Sequence, residues 1–392
     1  MNKLTIVKTS GNLGRRQPVK DMYSGLLAGG VAVTGGVQLD QTYRLQSVDD
    51  ARALGIDADY DTNNGILVYE HIAEFFRINP DGVLFLRLID PNTALADYVS
   101  TGGALNRLLN DAGGDIRQVG IVFNKSGVTE SDVIGLVGQA QSFADYAATH
   151  AKPLQLILEG YGVSKTTTHD LHSLNAPNVS VMIGQNMAVA NNTINPQPDY
   201  AAVGTLLGAV SRARVNESVA WVEKFNLQGG ALLSPGIDAT PVTDINEGEL
   251  EALDEKGYIF FRLYTGIAGI YLNDSYTATA VTDDYAYIES NRTMDKAIRE
   301  VRAVLLPRLG SPVKVDAETG RMSPEVVKSF ENDAKRALER MLSEGEISGL
   351  EVYIDPEQDI IGTSELKVQI GVVPTGTARM IKVEIGFSNP AQ

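Results

Sequence analysis

Four short apolar runs constrain this chain more than any other feature: Val83-Leu-Phe-Leu-Arg-Leu-Ile89, Val119-Gly-Ile-Val-Phe123, Leu154–Leu158 and Val179–Ile183. Each is too short for an ordinary helix and too continuous for a strand with one wet face, so each reads as a strand buried on both sides. The segments between them carry a different period. Ile66–Phe76 repeats its apolar residues at helical spacing, and Thr129 with Asp132 is an N-cap and acidic third residue opening a helix towards His150. A helix of small residues follows from about Ala201 to Val215. Short buried strands alternating with helices indicate an α/β fold, a mainly parallel or mixed sheet with flanking helices. This architecture is expected over 26–285. Within it Val31–Thr34 reads as strand-like and Gly55–Gly65 as a polar loop. Glu247–Leu253 reads as a short helix, and Tyr258–Tyr264 and Gly269–Asn273 as successive strands.

Residues 286–392 read as a separate α+β module. A long helix through Met294, Ile298, Val301 and Leu305, capped by Asn291 or Thr293, has one apolar face. A second opens at Ser323-Pro324 and runs through Phe330, Leu338 and Met341, with Pro324 in its first turn. Leu366, Val368, Ile370 and Val372 then alternate with polar or small residues. After Pro374-Thr-Gly-Thr377 the alternation resumes in Ile381, Val383, Ile385 and Phe387. Period two on either side of a turn predicts two half-buried strands, so the module is expected to set two long helices on an antiparallel hairpin.

Chemistry is harder to find. The chain of 392 residues has no Cys, which removes disulfides, thiolate zinc, iron–sulfur clusters and thiol nucleophiles together. Its 49 acids against 33 Lys and Arg, a net charge of −16, argue against general nucleic-acid binding. No apolar window reaches the length of a membrane span, and the N-terminus lacks a signal-peptide core. Gly11-Asn-Leu-Gly14 lacks the third glycine of a dinucleotide loop, and Asn124-Lys-Ser-Gly127 lacks the approach of a P-loop. Asp57, Asp59, Asp61 and Asn63 alternate like calcium ligands, but Thr62 and Val68 stand where an EF-hand needs Gly and an acid. His71 with Glu74, and His169 and His172 around Asp170, are the remaining clusters, and structural roles suit them better than catalysis or metal binding. No catalytic, metal or cofactor residue is therefore assigned, and the expected chain is not an enzyme. Charge is nevertheless uneven: the first twenty residues hold Lys3, Lys8, Arg15, Arg16 and Lys20 with no acid. A basic, extended 1–25 arm on an acidic body can reach a neighbouring copy.

The sequence resembles the contractile tail sheath proteins of phages and phage-derived injection machines, in a compact, prophage-type branch. The residues that carry the likeness are Gly11-Asn-Leu-Gly-Arg-Arg-Gln-Pro18 followed by Asp21-Met-Tyr-Ser-Gly-Leu-Leu27, Ser47-Val-Asp-Asp-Ala-Arg-Ala-Leu-Gly-Ile56, Tyr69-Glu-His-Ile-Ala-Glu-Phe-Phe76 and Tyr287-Ile-Glu-Ser-Asn-Arg-Thr-Met-Asp-Lys-Ala-Ile298. The resemblance implies a virion structural subunit forming hexameric rings that stack helically around a tail tube and contract to drive it through a target envelope. Its implied partners are other copies of itself, the tube protein, and baseplate and tail terminator proteins, without nucleic acid, membrane binding or cofactor. Its implied location is the bacterial cytoplasm during assembly and then the tail. Terminal arms exchanged between neighbours would add strands to a C-terminal sheet by β-augmentation. Carried onto this chain, the arm candidates are Lys3, Leu4, Ile6, Val7, Arg15 and Arg16. The accepting-sheet candidates are Leu366, Val368, Ile370, Val372, Ile381, Val383 and Ile385. The short end after Phe387 makes a second arm an open question. A carboxylate-dependent α/β hydrolase acting on glycans and a non-contractile virion protein are the alternatives.

Overall fold

The computed structural model describes residues 20–230, 232–316 and 319–386. Six strands form the central sheet: β1 (Tyr23–Gly29), β2 (Thr42–Leu45), β3 (Val83–Ile89), β4 (Gln118–Val122), β5 (Gln155–Glu159) and β6 (Val179–Met182). They lie in the order β2-β3-β1-β4-β5-β6. β1 runs parallel to β3 and β4, the β4-β5 and β5-β6 pairs are parallel, and only the edge strand β2 is antiparallel. Every residue of β3, β4, β5 and β6 is buried, which is why these strands lack alternation: neither face meets water.

Two apolar layers cover the sheet. On one side α1 (Tyr69–Ile78) and α4 (Val203–Arg212) pack Ile72, Phe75, Leu206 and Val210 with Leu26, Leu84 and Leu86. The two helices touch because α4 carries Gly204, where a Cβ atom would fall 2.2 Å from the backbone oxygen of His71. On the other side α2 (Ala104–Asp111) and α3 (Glu130–Thr149) pack Leu105, Leu108, Leu136 and Phe143 with Leu27, Val119 and Leu156. The expected capping box is present at the start of α3: Thr129 accepts from the Asp132 amide and Asp132 from the Thr129 amide. β7 (Phe261–Tyr264) and β8 (Ile267–Leu272) form an antiparallel pair beside this body.

Two local expectations fail. Val31–Thr34 is not a strand; the strand is Tyr23–Gly29, so residues 23–25, expected in the arm, belong to the sheet. The stretch from Gly55 to Gly65 is no simple loop either, because Asp57 caps a helix over Ala58–Asn64. In that short helix Asp61 is buried and accepts from the amides of Val68, Tyr69 and Glu70, each at 2.9 Å, so it caps α1 across a turn.

The C-terminal module has two long helices, α5 (Ile288–Leu305) and α6 (Pro324–Ser343), and an antiparallel pair, β9 (Ile347–Tyr353) and β10 (Gln369–Pro374). α5 starts after Tyr287 rather than at Asn291 or Thr293; the Asn291 side chain instead donates to the carbonyls of Tyr285 and Tyr287. The pair itself differs from the expected one. β10 overlaps the anticipated 366–372 strand over 369–372 and runs on to Pro374, but its partner is Ile347–Tyr353, and residues 379–386 form no strand.

Candidate functional site

Helices α5 and α6 hold the β9-β10 pair by two small apolar clusters. Ala297, Leu338, Met341 and Ile347 make the first, with Leu350, Ile370 and Val372 packed against it. Met322, Val327, Phe330 and Ile354 make the second, with Leu366 and Val368 beside it. The alternation expected over 366–372 is therefore real: Leu366, Val368, Ile370 and Val372 are half-buried on one face, while Lys367, Gln369 and Gly371 are exposed. Leu366 and Val368 precede the strand, and Ile370 and Val372 lie within it.

This sheet stops at two strands. Among the described residues each of β9 and β10 has one strand neighbour, so each has an outer edge without a strand partner, a template for a further strand. Beside β10 an open groove of about 560 Å³ is lined by Met294, Ile298, Val301 and Leu305 of α5 and by Ile370 and Val372. Leu309 at its end is 83 % exposed. An apolar groove along a free strand edge has the shape and chemistry to take an extended segment with apolar side chains on one face.

Ile381, Val383 and Ile385, expected in the accepting sheet, are not in it. They lie outside any strand or helix and are 80, 70 and 92 % exposed, with Met380 at 75 %. The physical reason lies just before them. Thr375 Oγ1 takes a hydrogen bond from Asn216 at 3.1 Å, and Arg379 enters a socket made by Asp274, Ser275, Tyr287 and Glu289. Its Nε donates to both Asp274 oxygens at 3.2 and 3.1 Å, its Nη2 donates to Glu289, and the guanidinium lies 3.3 Å from the centre of the Tyr287 ring. Burial pushes the Asp274 and Glu289 carboxyls up, an effect Arg379 partly offsets, while the two acids hold the Arg379 guanidinium above its ordinary value against burial. These contacts lead the chain onto the central body instead of back along β10.

The other end of the described chain is rooted in the same helix with opposite polarity. Asp21, just before β1, pairs with Lys296 at 2.9 Å and Arg299 at 3.2 Å on α5. Lys296 is buried and also pairs with Glu346, at the start of β9, at 2.7 Å. Burial works against the Asp21 carboxylate, but Lys296, Arg299 and Arg292 hold it below the usual carboxylate range. The arm candidates Lys3, Leu4, Ile6, Val7, Arg15 and Arg16 lie outside the described residues. Asp21, Lys296, Glu346 and Arg379 escaped the sequence reading, because an ion pair between distant residues leaves no local pattern.

The clusters weighed for catalysis have structural partners. Asp57 and Asp61 are caps, as described. His71 does not pair with Glu74: its Nδ1 accepts from the Gly204 amide, and burial lowers the ring to about 3, while Glu74 holds Arg77 at 2.7 Å. Asp170 accepts from the His172 amide, and His172 Nδ1 lies 2.7 Å from the Thr279 carbonyl. Among the described residues no three His, Asp or Glu are placed to hold a metal ion, and no helix is long and apolar enough to cross a membrane.

This combination of a doubly covered mixed sheet with a helix-backed, two-stranded C-terminal sheet resembles the fold of solved sheath and baseplate chains of contractile injection systems. A chain in the anti-feeding prophage baseplate matches with a TM-score of 0.63 at 15 % identity, covering 99 % of this chain and 100 % of that one. The contracted helical sheath of the same prophage matches at 0.62 and 17 %, covering 98 % and 100 %. A sheath tail protein from Desulfitobacterium hafniense matches at 0.55 and 11 %, covering 95 % and 100 %. No curated protein matches in sequence. The chain belongs to the DUF2586 family: that family's N-terminal domain matches residues 1–276 and its C-terminal domain residues 284–392.

Proposed function

We propose that this chain is the structural subunit of a contractile tail sheath, joined to its neighbours through the β9-β10 sheet. The observation that carries this reading is an open two-stranded sheet on the same chain as an exposed, alternately apolar segment of strand length. In this reading the edge of β10 accepts, with Ile370, Val372, Leu366 and Val368 forming its apolar floor. Ile381, Val383 and Ile385 donate, which reverses the role expected of them. The N-terminal arm of about 1–20 is a second donor, whose basic charge suits an acidic neighbour. The body of 26–285 and the module of 286–392 act as separate units, one filling the ring and the other linking it. Copies form hexameric rings stacked around a tail tube, between baseplate and terminator, assembled in the bacterial cytoplasm. Contraction drives the tube through a target envelope. Strand exchange suits this role because rigid bodies can reorient while the linking sheets survive, with the driving energy stored in the extended assembly.

Electron microscopy of the concentrated full chain tests the proposal, with Ile381→Ser/Val383→Ser/Ile385→Ser alongside. The expected result is rings or tubes from the natural chain and only monomers from the triple variant. Because these side chains are exposed, the variant's subunit stability should change by less than about 0.5 kcal/mol. Monomers of the natural chain under every assembly condition would overturn the reading.

A further inference from the structure

The segment that lies free in this chain has an obvious place to go within its own subunit. A loop of about four residues over 375–378 would turn 379–386 back along β10 as an ordinary hairpin. Ile381 would then face Val372 and Val383 would face Ile370, so the apolar residues of both strands would share the α5 groove. Nothing in the local pattern opposes this closure: Gly376 supplies turn freedom and the alternation is in register. Closure within one chain is also favoured by proximity, since a short tether gives an effective concentration on the order of millimolar. A neighbouring copy at micromolar concentration would lose that competition by about a thousand-fold for the same edge. Yet the groove is open and the segment is exposed.

What separates them is the pair of contacts that precede the segment. Asn216 holds Thr375 beside the carbonyl of Gly345, where β9 begins. Arg379 then reaches the first turn of α5 and the central body through Glu289, Asp274 and Tyr287. The groove begins only at Met294, further along the same helix. Glu289 and Asp274 are buried, and Ser275 also donates to Glu289 at 2.6 Å, so the socket is a built site and not a surface pairing.

Resting on the strand-exchange reading, we propose that Arg379 is a positioning residue that blocks self-closure: its socket keeps residues 380–386 off their own β10 and so reserves that edge for the same segment of a second copy. The partner is thus another copy of this chain, and the specificity is for exchange between subunits over closure within one.

The absence of cysteine gives a clean reporter. Gly371→Cys with Lys382→Cys places one thiol on β10 and one on the segment, opposite each other in the hairpin register. In dilute full-length protein under mild oxidation, the pair should stay open with Arg379 present. Adding Arg379→Ala should raise the yield of disulfide within one chain by about ten-fold or more, read as a faster-migrating monomer band and by peptide mass. Arg379→Lys should fall between, because it keeps the charge but loses the fork and the stacking. Glu289→Gln should repeat the Arg379→Ala result from the other side of the socket, covering the case where one variant fails to fold. Without engineered cysteines, Arg379→Ala should also require about ten-fold more protein to assemble. Equal closure with and without Arg379, in both socket variants, would overturn the proposal. That readout uses monomers, so it stands apart from the strand-exchange reading, which fails instead if the natural chain never assembles.

Discussion

The central sheet and the C-terminal sheet are built from similar apolar residues but finished in opposite ways. β3 to β6 are buried throughout, and their two apolar layers are continuous with α1 to α4. Their edges are also managed. Antiparallel β2, with Thr42, Tyr43 and Arg44 at least partly exposed, ends one side, and a bridge from Met182 to Ile259 continues the other. Among the described residues β9 and β10 have two small clusters behind them, an open groove and no third strand. A two-stranded sheet is marginal by itself. In the strand-exchange proposal, the first region supplies cohesion within the subunit and the second would supply it between subunits. α5 joins them, holding Asp21 by its cations and Arg379 by Glu289 at its first turn.

Removal of that joint should be the most damaging change. Lys296→Met takes away a buried ammonium, so the buried Glu346 carboxylate loses its ion-pair partner and Asp21 keeps only Arg299. A loss of about 3 kcal/mol is expected, because breaking a buried pair strands its partners. Calorimetry should then show the single transition splitting, with the C-terminal module melting first. A single transition lowered by less than about 0.5 kcal/mol would show that the regions are joined by something else.

A smaller effect sharpens the central side of the comparison. Burial, then Glu74 and Asp61, push the Glu70 carboxyl up to about 7. A raised acid contributes stability that is complete below its ordinary pKa and lost as pH rises through its folded one. At pH 8 ionised Glu70 therefore costs stability, and Glu70→Gln should gain about 1 kcal/mol, or a rise of roughly 2 to 4 °C in melting midpoint. Below about pH 4.5 the gain should vanish. Assembly should be unchanged, since Glu70 lies on the central body and not at the strand pair.

Legibility in the sequence follows the same division. β3 to β6 could be read because continuous apolar runs mean burial on both faces whatever surrounds them. The Thr129–Asp132 box could be read because a cap is local chemistry. The 366–372 alternation correctly located a one-sided strand, but the same alternation in Ile381, Val383 and Ile385 led to the wrong pairing. Period two says which side chains need cover; it does not say which chain supplies it. The true partner, Ile347–Tyr353, follows Gly345 and contains Gly349, two glycines that interrupt any strand pattern there. Arg379 and Lys296 meet their partners only after folding, so neither ion pair has any signature along the chain.

The most direct test of the central claim is a cryo-electron microscopy map of the assembled tube, traced through residues 369–386. Strand exchange requires a third strand along β10, contributed by residues 380–386 of an adjacent copy, with Ile381, Val383 and Ile385 over the α5 groove and Arg379 still in its own subunit's socket. A tube in which each segment lies on its own β10, or in which β9 and β10 gain no strand at all, would contradict it.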